Sequence, residues 1–542
     1  MLSMDTAPQD GSTIDLLIDE EWLECHWSER ADDGSPYGVE GWQDSESGYV
    51  VLDAQAWRPI ETKRYTDGSP LQGHQLKQPI VVLGLAFGDE AKGATVDFLS
   101  SSIPDAAAVV RWSGGGNAAH NVRHGHRHHT FRQFGAGSFL SLPTFLNQNV
   151  TLNLTLLMAE AVELENEGVH NPLSLIVLHS DSLITTPVHI ALNRAREILR
   201  GIDRHGSCGL GIGETRAHAH ADRNMSPIGS TVGNFKVPGP TSGGKAVVTA
   251  GSLLKAVKSS DNTEVIEAIR LQRAYAEPLI EAAIAEYPEL ASELSYESDR
   301  EIAKELLEIA GSVDIFSSAE FEAEVLRTME LGTVIFEGSQ GVLLDEKWGF
   351  HPHTTWAQTE PSSLVNWLVS ENHDPYILGL TRSYLTRHGA GPLPSEFAVK
   401  MEEQQLPSDD NSWGRWQGGF RVAALDLPLL HYSLKVLRES GIILNGLSVS
   451  HLDAFEDQVP VVIAYNDDEN PAAHWKPEDN EDPFFPLMNS DSFLEEYIQD
   501  KAYLVSNCGV KDLPILLGKF LGLNVALLAS GPYRRDRRLT VG

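Results

Sequence analysis

PIVVLGLAFGDEAKGATVDF, residues 79–98, is the stretch that decides the fold. The run PIVVLGLAF is apolar and β-branched without alternation, as in a strand buried on both faces, and it stops at Gly88. KGATVDFLSS follows with helical character. Between strand and helix lies GDEAKGA, residues 88–94, where Gly88 and Gly93 permit a tight turn, backbone amides can face a phosphate, and Lys92 adds a point charge. The loop is not the common G-x-x-x-x-G-K-[ST] form, and taken alone it reads equally as a plain strand-to-helix connection.

Outward from this unit the pattern repeats. LSLIVLHS (173–180), GTVIFEGSQG (332–341), YILGLTRSYL (376–385), GLSVSHLDAF (446–455), PVVIAY (460–465) and NVALLASGP (524–532) are further apolar runs, interspersed with helical stretches such as LNRAREILRGI (192–202). The expected class is α/β, with a large, mostly parallel central sheet carrying helices on both faces. Residues from about 230 to 330 are expected to form a largely helical insertion, because AGSLLKAVKSS, TEVIEAIRLQRAYAEPLIEAAIAEY and SDREIAKELLEIAGS place apolar residues three and four apart. Residues 1–76 are acidic and read as an N-terminal extension to a domain spanning 77–542; residues 465–493, acidic and proline-bearing, read as a surface loop.

Composition narrows the class. The chain has 542 residues, 42% of them apolar, and no uncharged apolar run long enough to span a bilayer. Its start shows no basic segment followed by an apolar stretch, so a cytoplasmic protein without a membrane partner is expected. The three cysteines, Cys25, Cys208 and Cys508, form no metal-ligand or disulfide pattern. A formal charge of -35 speaks against a nucleic-acid surface, which needs basic stripes to displace counterions. HGHRHH, residues 124–129, is a weak metal signal without a carboxylate or thiolate set, and no zinc is assigned.

GLAFGDEAKGATVDFL resembles the opening of adenylosuccinate synthetases, G-x-x-W-G-D-E-G-K-G-K-x-V-D, and further segments resemble that family in order. They are RWSGGGNAAHNV (111–122), GSCGLGIG (206–213), FEGSQGVLLD (336–345), HPHTT (351–355), TRHGAGPLPSE (386–396), HLDAF (451–455) and ASGPYR (529–534). The resemblance implies a P-loop-like adenylosuccinate synthetase fold and a homodimer. It also implies GTP-dependent ligation of L-aspartate to IMP, giving adenylosuccinate, GDP and phosphate through a 6-phosphoryl-IMP intermediate, in AMP biosynthesis.

The resemblance implies roles residue by residue. Asp89 is the general base that takes the purine ring proton, although an Asp here also reads as a helix cap. His120 is the general acid; Lys92 and Gln340 complete the catalytic set. GTP falls to Gly88, Glu90, Ala91, Lys92 and Gly93 at the phosphates and to Asp453, Ser530, Gly531 and Pro532 at the base; Asp453 can accept two guanine hydrogen bonds that adenine cannot supply. IMP falls to Asp89, Asn117, Ser207, Cys208, Arg223, Gln340 and Thr355. Mg2+, a hard cation suited to phosphate oxygens, falls to Asp89 and the carbonyl of Ala119.

Departures accompany the match. Phe87 stands for a tryptophan, Ala91 for a glycine, Ala94 for a lysine, Gly116 for a histidine, Cys208 for a threonine and His451 for a lysine. The family's arginine-rich amino-acid clamp, T-G-R-R-R-R-x-G-W-x-D, is here NSWGRWQGGFRVAALD (411–426), leaving Arg415 and Arg421 for the amino acid; Trp416 and Gln417 also read as simple loop packing. Viral relatives acting on guanine deoxynucleotides are similar in a Trp-Gln-Gly loop but tend to lose the aspartate kept here as Asp89. Two alternatives stay open: a ligase with another amino donor or purine monophosphate, and a nucleotide-binding regulatory protein without the reaction.

Overall fold

The computed structural model describes residues 71, 73–125, 127–201, 204–222, 246–397, 414–465 and 503–540, with short strands inside 13–59 and 231–236. The deciding run forms β1 (Ile80–Gly84), buried throughout. Nine further strands join it: β2 (Ala106–Arg111), β3 (Thr144–Leu146), β4 (Ile176–His179), β5 (Asp314–Phe316), β6 (Thr333–Gly341), β7 (Tyr376–Arg382), β8 (Gly446–Ser450), β9 (Val525–Ala529) and β10 (Arg537–Leu539). The sheet order is β5-β4-β3-β2-β6-β1-β7-β8-β9-β10. All neighbours run parallel except β10, which returns antiparallel along β9 at one edge.

β1 is continuously apolar because both of its faces are covered. Ile80 and Val82 enter one core, while Val81 and Leu83 enter another. The first core is closed by α1 (Lys92–Ser102), α2 (Pro187–Arg200), α3 (Ala250–Ser259), α4 (Thr263–Glu286) and α5 (Asp299–Ala310), through residues such as Val96, Leu192, Leu253, Ile269 and Leu306. The second is closed by α6 (Ser318–Leu331), α7 (Leu427–Glu439) and α8 (Leu513–Leu521), through Phe321, Leu430 and Leu517. Each fully buried aliphatic side chain contributes about 1.5–3 kcal/mol, so the four of β1 fix this strand at the sheet centre.

α4 and α5 form in the region expected to be helical, and a Ser298/Glu301 capping box starts α5. The chain then returns to the sheet as β5. At three residues, Asp314–Phe316 is too short to show a strand period, which is why the sequence alone reads the region as helical. PVVIAY also departs from expectation: strand Gln458–Tyr465 lies in a separate three-stranded sheet with Tyr503–Gly509 and Leu425–Asp426. The acidic surface loop read at 465–493 lies outside the described residues beyond Tyr465. In the N-terminal extension, Thr13–Ile18, Glu21–Ser28, Gly41–Asp44 and Ala56–Pro59 form an antiparallel four-stranded sheet.

Candidate active site

β1 delivers the chain to a loop that is braced from inside. Gly88 sits at φ 111°, a region in which side-chain-bearing residues clash. The Glu90 carboxylate accepts hydrogen bonds from the amides of Ala86 (3.1 Å) and Gly88 (2.8 Å) through Oε1. Its Oε2 receives Lys92 Nζ at 2.9 Å, and Lys92 also reaches the Gly88 carbonyl at 2.5 Å. Glu90, expected to bind GTP, is thus an inward brace that aims Lys92. α1 is flanked by Ala91 and carries no side-chain cap, so Asp89 is not spent as a helix cap and the first-turn amides remain available to an anion.

His120 begins the strand His120–His124, which lies against α1 at Gly93. A β-carbon on Gly93 would stand 2.5 Å from His120 Cβ. Behind the imidazole, Nδ1 lies 2.6 Å from Glu337 Oε1, and Glu337 Oε2 accepts the Ala136 amide at 3.0 Å. Burial works to raise the Glu337 carboxyl, but Arg111 and His120 hold it below its ordinary range, so it is an anion and Nδ1–H must donate to it. Burial, then Arg111, pushes His120 down to about 4. The resting imidazole is neutral, and Nε2 offers a lone pair rather than a proton. To act as an acid it must take up a proton, which an arriving phosphate would favour.

Asp89 faces the same cleft, which is also lined by Lys92, Ala119, His120, Arg382 and Asp453 and holds about 170 Å³ of free space. Burial tends to raise its carboxyl, yet His388, Arg382 and Lys92 together pull it down to about 2. His388 Nε2 approaches Asp89 Oδ2 at 3.2 Å without hydrogen-bond alignment, leaving that buried oxygen unsatisfied. The Arg382 Nε–H donates to the Asp89 main-chain oxygen. Glu337, Arg382 and His388 were not singled out by the sequence reading. Glu337 stands inside the quoted EGSQG and His388 inside TRHGAGPLPSE, but no spacing rule marks a residue that acts through another's side chain.

Among the residues expected to meet IMP, Gln340 has φ 54° and its amide donates to Asn117 Oδ1 at 3.4 Å, while its Oε1 is buried without a partner. An orphaned buried acceptor of this kind fits a donor on a ligand. Asn117 also hydrogen-bonds the Cys208 thiol, whose pKa burial raises, keeping it a neutral SH group. Ser207 is held by Asn193 of α2 at 3.0 Å. His353 reaches the His205 carbonyl at 3.1 Å, which joins the loop carrying Thr355 to the loop carrying Ser207 and Cys208. Arg223 lies outside the described residues.

Of the residues expected at the guanine base, Asp453, Gly531 and Pro532 line the cleft with Asp89, and burial raises the Asp453 carboxyl. Ser530 opens instead into an adjoining hollow of about 870 Å³. His451 holds a left-handed backbone at φ 57°, and its ring contacts Ser450 Oγ at 2.9 Å.

The two arginines read as an amino-acid clamp are engaged elsewhere. Arg421 makes a forked pair with Glu396 (Nε to Oε1 at 2.9 Å) and gives its remaining donors to the carbonyls of Gly389 (3.1 Å) and Gly391 (2.7 Å). Arg415 pairs with Glu293 on the surface. Trp416 packs on the loop carrying Ser207 and Cys208: a β-carbon on Gly209 would meet its ring at 2.6 Å, and the Arg194 guanidinium lies 5.4 Å over it. The aromatic residue is loop packing here, one of the two readings its sequence allowed.

The adenylosuccinate synthetase family model matches residues 81–485. An adenylosuccinate synthetase of Vibrio parahaemolyticus is 29% identical over 386 residues, covering 70% of this chain and 78% of its own. One of Buchnera aphidicola is 26% identical over 474 residues, covering 84% and 97%. Among solved structures, a fully ligated adenylosuccinate synthetase from Plasmodium falciparum matches with a TM-score of 0.59 at 16% identity, over 86% of this chain and 100% of that one, a likeness of fold. With the family model spanning most of its length, this chain belongs to the adenylosuccinate synthetase family of GTP-dependent ligases.

Proposed function

We propose that this chain joins L-aspartate to IMP at the expense of GTP, forming adenylosuccinate, GDP and phosphate. The observation that carries the reading is the convergence of Asp89, Lys92, His120 and Asp453 on one cleft. Asp89, ionised at neutral pH, takes the proton from the purine ring nitrogen, and the six-position oxygen attacks the terminal phosphorus of GTP as the bond to GDP breaks. Lys92 and the α1 amides hold the phosphates, and His120, protonated as the phosphate charge arrives, donates Nε2–H to the oxygen that gains charge. The aspartate amine then attacks carbon six and phosphate leaves. Gln340 orients the purine through its unsatisfied Oε1.

The residues also fit the Mg2+ that the family uses. Asp89 presents a buried carboxylate oxygen without a hydrogen-bond donor, and Ala119 lines the same cleft. Among the described residues no cluster of three or more His, Cys, Asp or Glu side chains is placed to hold a metal by itself. When bound, Mg2+ would neutralise charge on the phosphates.

A second reading has its own observation: with Arg421 and Arg415 paired to Glu396 and Glu293, the donor site differs from an arginine clamp, which fits a different amino donor. The test is phosphate release from GTP with IMP, with and without aspartate, beside an absorbance assay for the succinylated purine. Product only with all three supports the first reading; product only with another amine supports the second; GTP binding without turnover across a donor panel sinks both. A homodimer and a cytoplasmic location belong to the same proposal, checked by sedimentation and by cell fractionation; no described helix is long and apolar enough to cross a membrane.

A further inference from the structure

The hairpin formed by strands Leu385–His388 and Phe420–Ala423 has two faces, because side chains alternate along each strand. Arg387 and Arg421 stand opposite each other in register, as do His388 and Phe420. The arginine face is closed on itself. Arg387 donates to the carbonyls of His353 (2.8 Å) and Pro392 (2.7 Å), and Arg421 is bound to Glu396. From the other face His388 meets Asp89 at 3.2 Å, with the Phe420 ring packed on its imidazole at 4.9 Å between centres.

The backbone of Asp89 is anchored by Arg382, but nothing else in the described structure hydrogen-bonds its Oδ2. The carboxyl torsion of an Asp is broad and roughly two-fold, so an unheld carboxylate samples many directions of its lone pairs. A general base must present one oxygen to one proton at hydrogen-bond distance, and such bonds are often long or bent until substrate binds. Phe420 limits the swing of the imidazole, so His388 is poised to close the remaining angle.

We propose that His388 is a positioning residue for the general base: on substrate binding its Nε2–H closes on Asp89 Oδ2 and turns Oδ1 toward the purine ring proton. An oxygen with two lone pairs accepts this bond and still faces a cation, as metal-ligating carboxylates commonly do. The inference rests on the role given to Asp89 under the proposed function.

Steady-state kinetics of the full chain with IMP, GTP and aspartate test it. His388→Leu lowers kcat about 10- to 100-fold, the usual effect of losing an orienting partner, with the KM for GTP changed less than about twofold if only the Asp89 orientation is lost. His388→Gln, whose amide nitrogen reaches where Nε2 does, recovers most of that loss. In an Asp89→Asn background His388→Leu costs nothing more, since residues acting as one unit are not additive. Equal losses in the Leu and Gln variants, or losses that multiply in the double variant, overturn the proposal, because packing against Phe420 would then explain everything. Absence of product in the wild-type enzyme sinks the ligase reading instead. The contact is still decided without turnover by the imidazole N–H resonance that His388→Gln removes: a downfield shift on adding IMP and GTP supports closure on Asp89, and an unmoved resonance overturns it.

Discussion

The loop after β1 and the paired strands Leu385–His388 and Phe420–Ala423 both lie in segments that resemble the family, yet the structure uses them differently. In the loop, the matched residues converge: Glu90 braces, Lys92 is aimed, Asp89 is exposed to the cleft and His120 docks on Gly93. Across the paired strands and their loop, Arg421 turns into the scaffold and Arg415 pairs with Glu293 on the surface, while His388 faces Asp89. A motif written in backbone constraint fixes the local geometry, because a glycine needed for close approach leaves few alternatives. Motifs written in charge do not, because a guanidinium takes the nearest carboxylate and carbonyls.

The largest expected effect tests the loop side. Glu337 fixes the His120 tautomer from a fully buried site, and Glu337→Gln should lower kcat about 100-fold or more with little change in KM, in line with the loss of tautomer control in other His–carboxylate pairs. Acid sensitivity belongs to the same pair. His120 titrates at about 4 in the folded chain against an ordinary 6.5, so between those values the unfolded chain binds the extra proton. Its stabilisation is present above pH 6.5 and is lost as pH falls toward 4. Asp89 acts lower down, its contribution lost between its ordinary 3.8 and about 2. Urea midpoints measured from pH 7 to 4 should fall, and His120→Gln should flatten that slope.

Gly93→Ala ranks next. Helix propensity alone favours Ala by about 1 kcal/mol. The new methyl, however, would meet His120 Cβ at 2.5 Å and its backbone at 3.0 Å, so the clash should win and cost about 1–3 kcal/mol net. A stabilised variant would mean that His120 does not pack there. Arg421→Ala probes the hairpin: it strands the Glu396 carboxylate and should cost about 1–2 kcal/mol of stability, discounted for partial exposure. The KM for the amino acid should move less than about threefold, the mark of an arginine that does not bind the substrate. A tenfold rise in that KM with an unchanged melting temperature would erase the distinction between loop and hairpin.

The sheet and its helical faces were legible because long apolar runs and three-and-four spacing are strong signals, and β1 shows both covered faces in its unbroken apolarity. What escaped was short or non-local. β5 has only three residues, and the strand Gln458–Tyr465 has the composition of a central strand but pairs in a separate sheet, a choice made by tertiary neighbours. In the site, Asp89, Lys92 and His120 were nameable from motifs. Glu337, Arg382 and His388 were not, because each is defined by what it touches across 217, 293 and, for His388, a comparably distant stretch of chain.

The smallest effect sharpens the comparison most, since it asks whether the loop is held by backbone constraint at all. Ala91 stands where the family pattern has glycine, and it occupies the left-handed region at φ 58°, ψ 37°. An L-residue there is strained by roughly 1–2 kcal/mol. Glycine removes that strain but gives the unfolded chain freedom worth about 0.4–1 kcal/mol. The difference leaves Ala91→Gly more stable by about 0.5 kcal/mol, measurable as a shift in urea midpoint at constant m-value. Because the flanking brace of Glu90 and Lys92 is untouched, the KM for GTP should stay the same or fall as the backbone becomes easier to approach. A loss of stability would show that the brace does not hold residue 91 left-handed in solution, and that backbone constraint is not what shapes this loop.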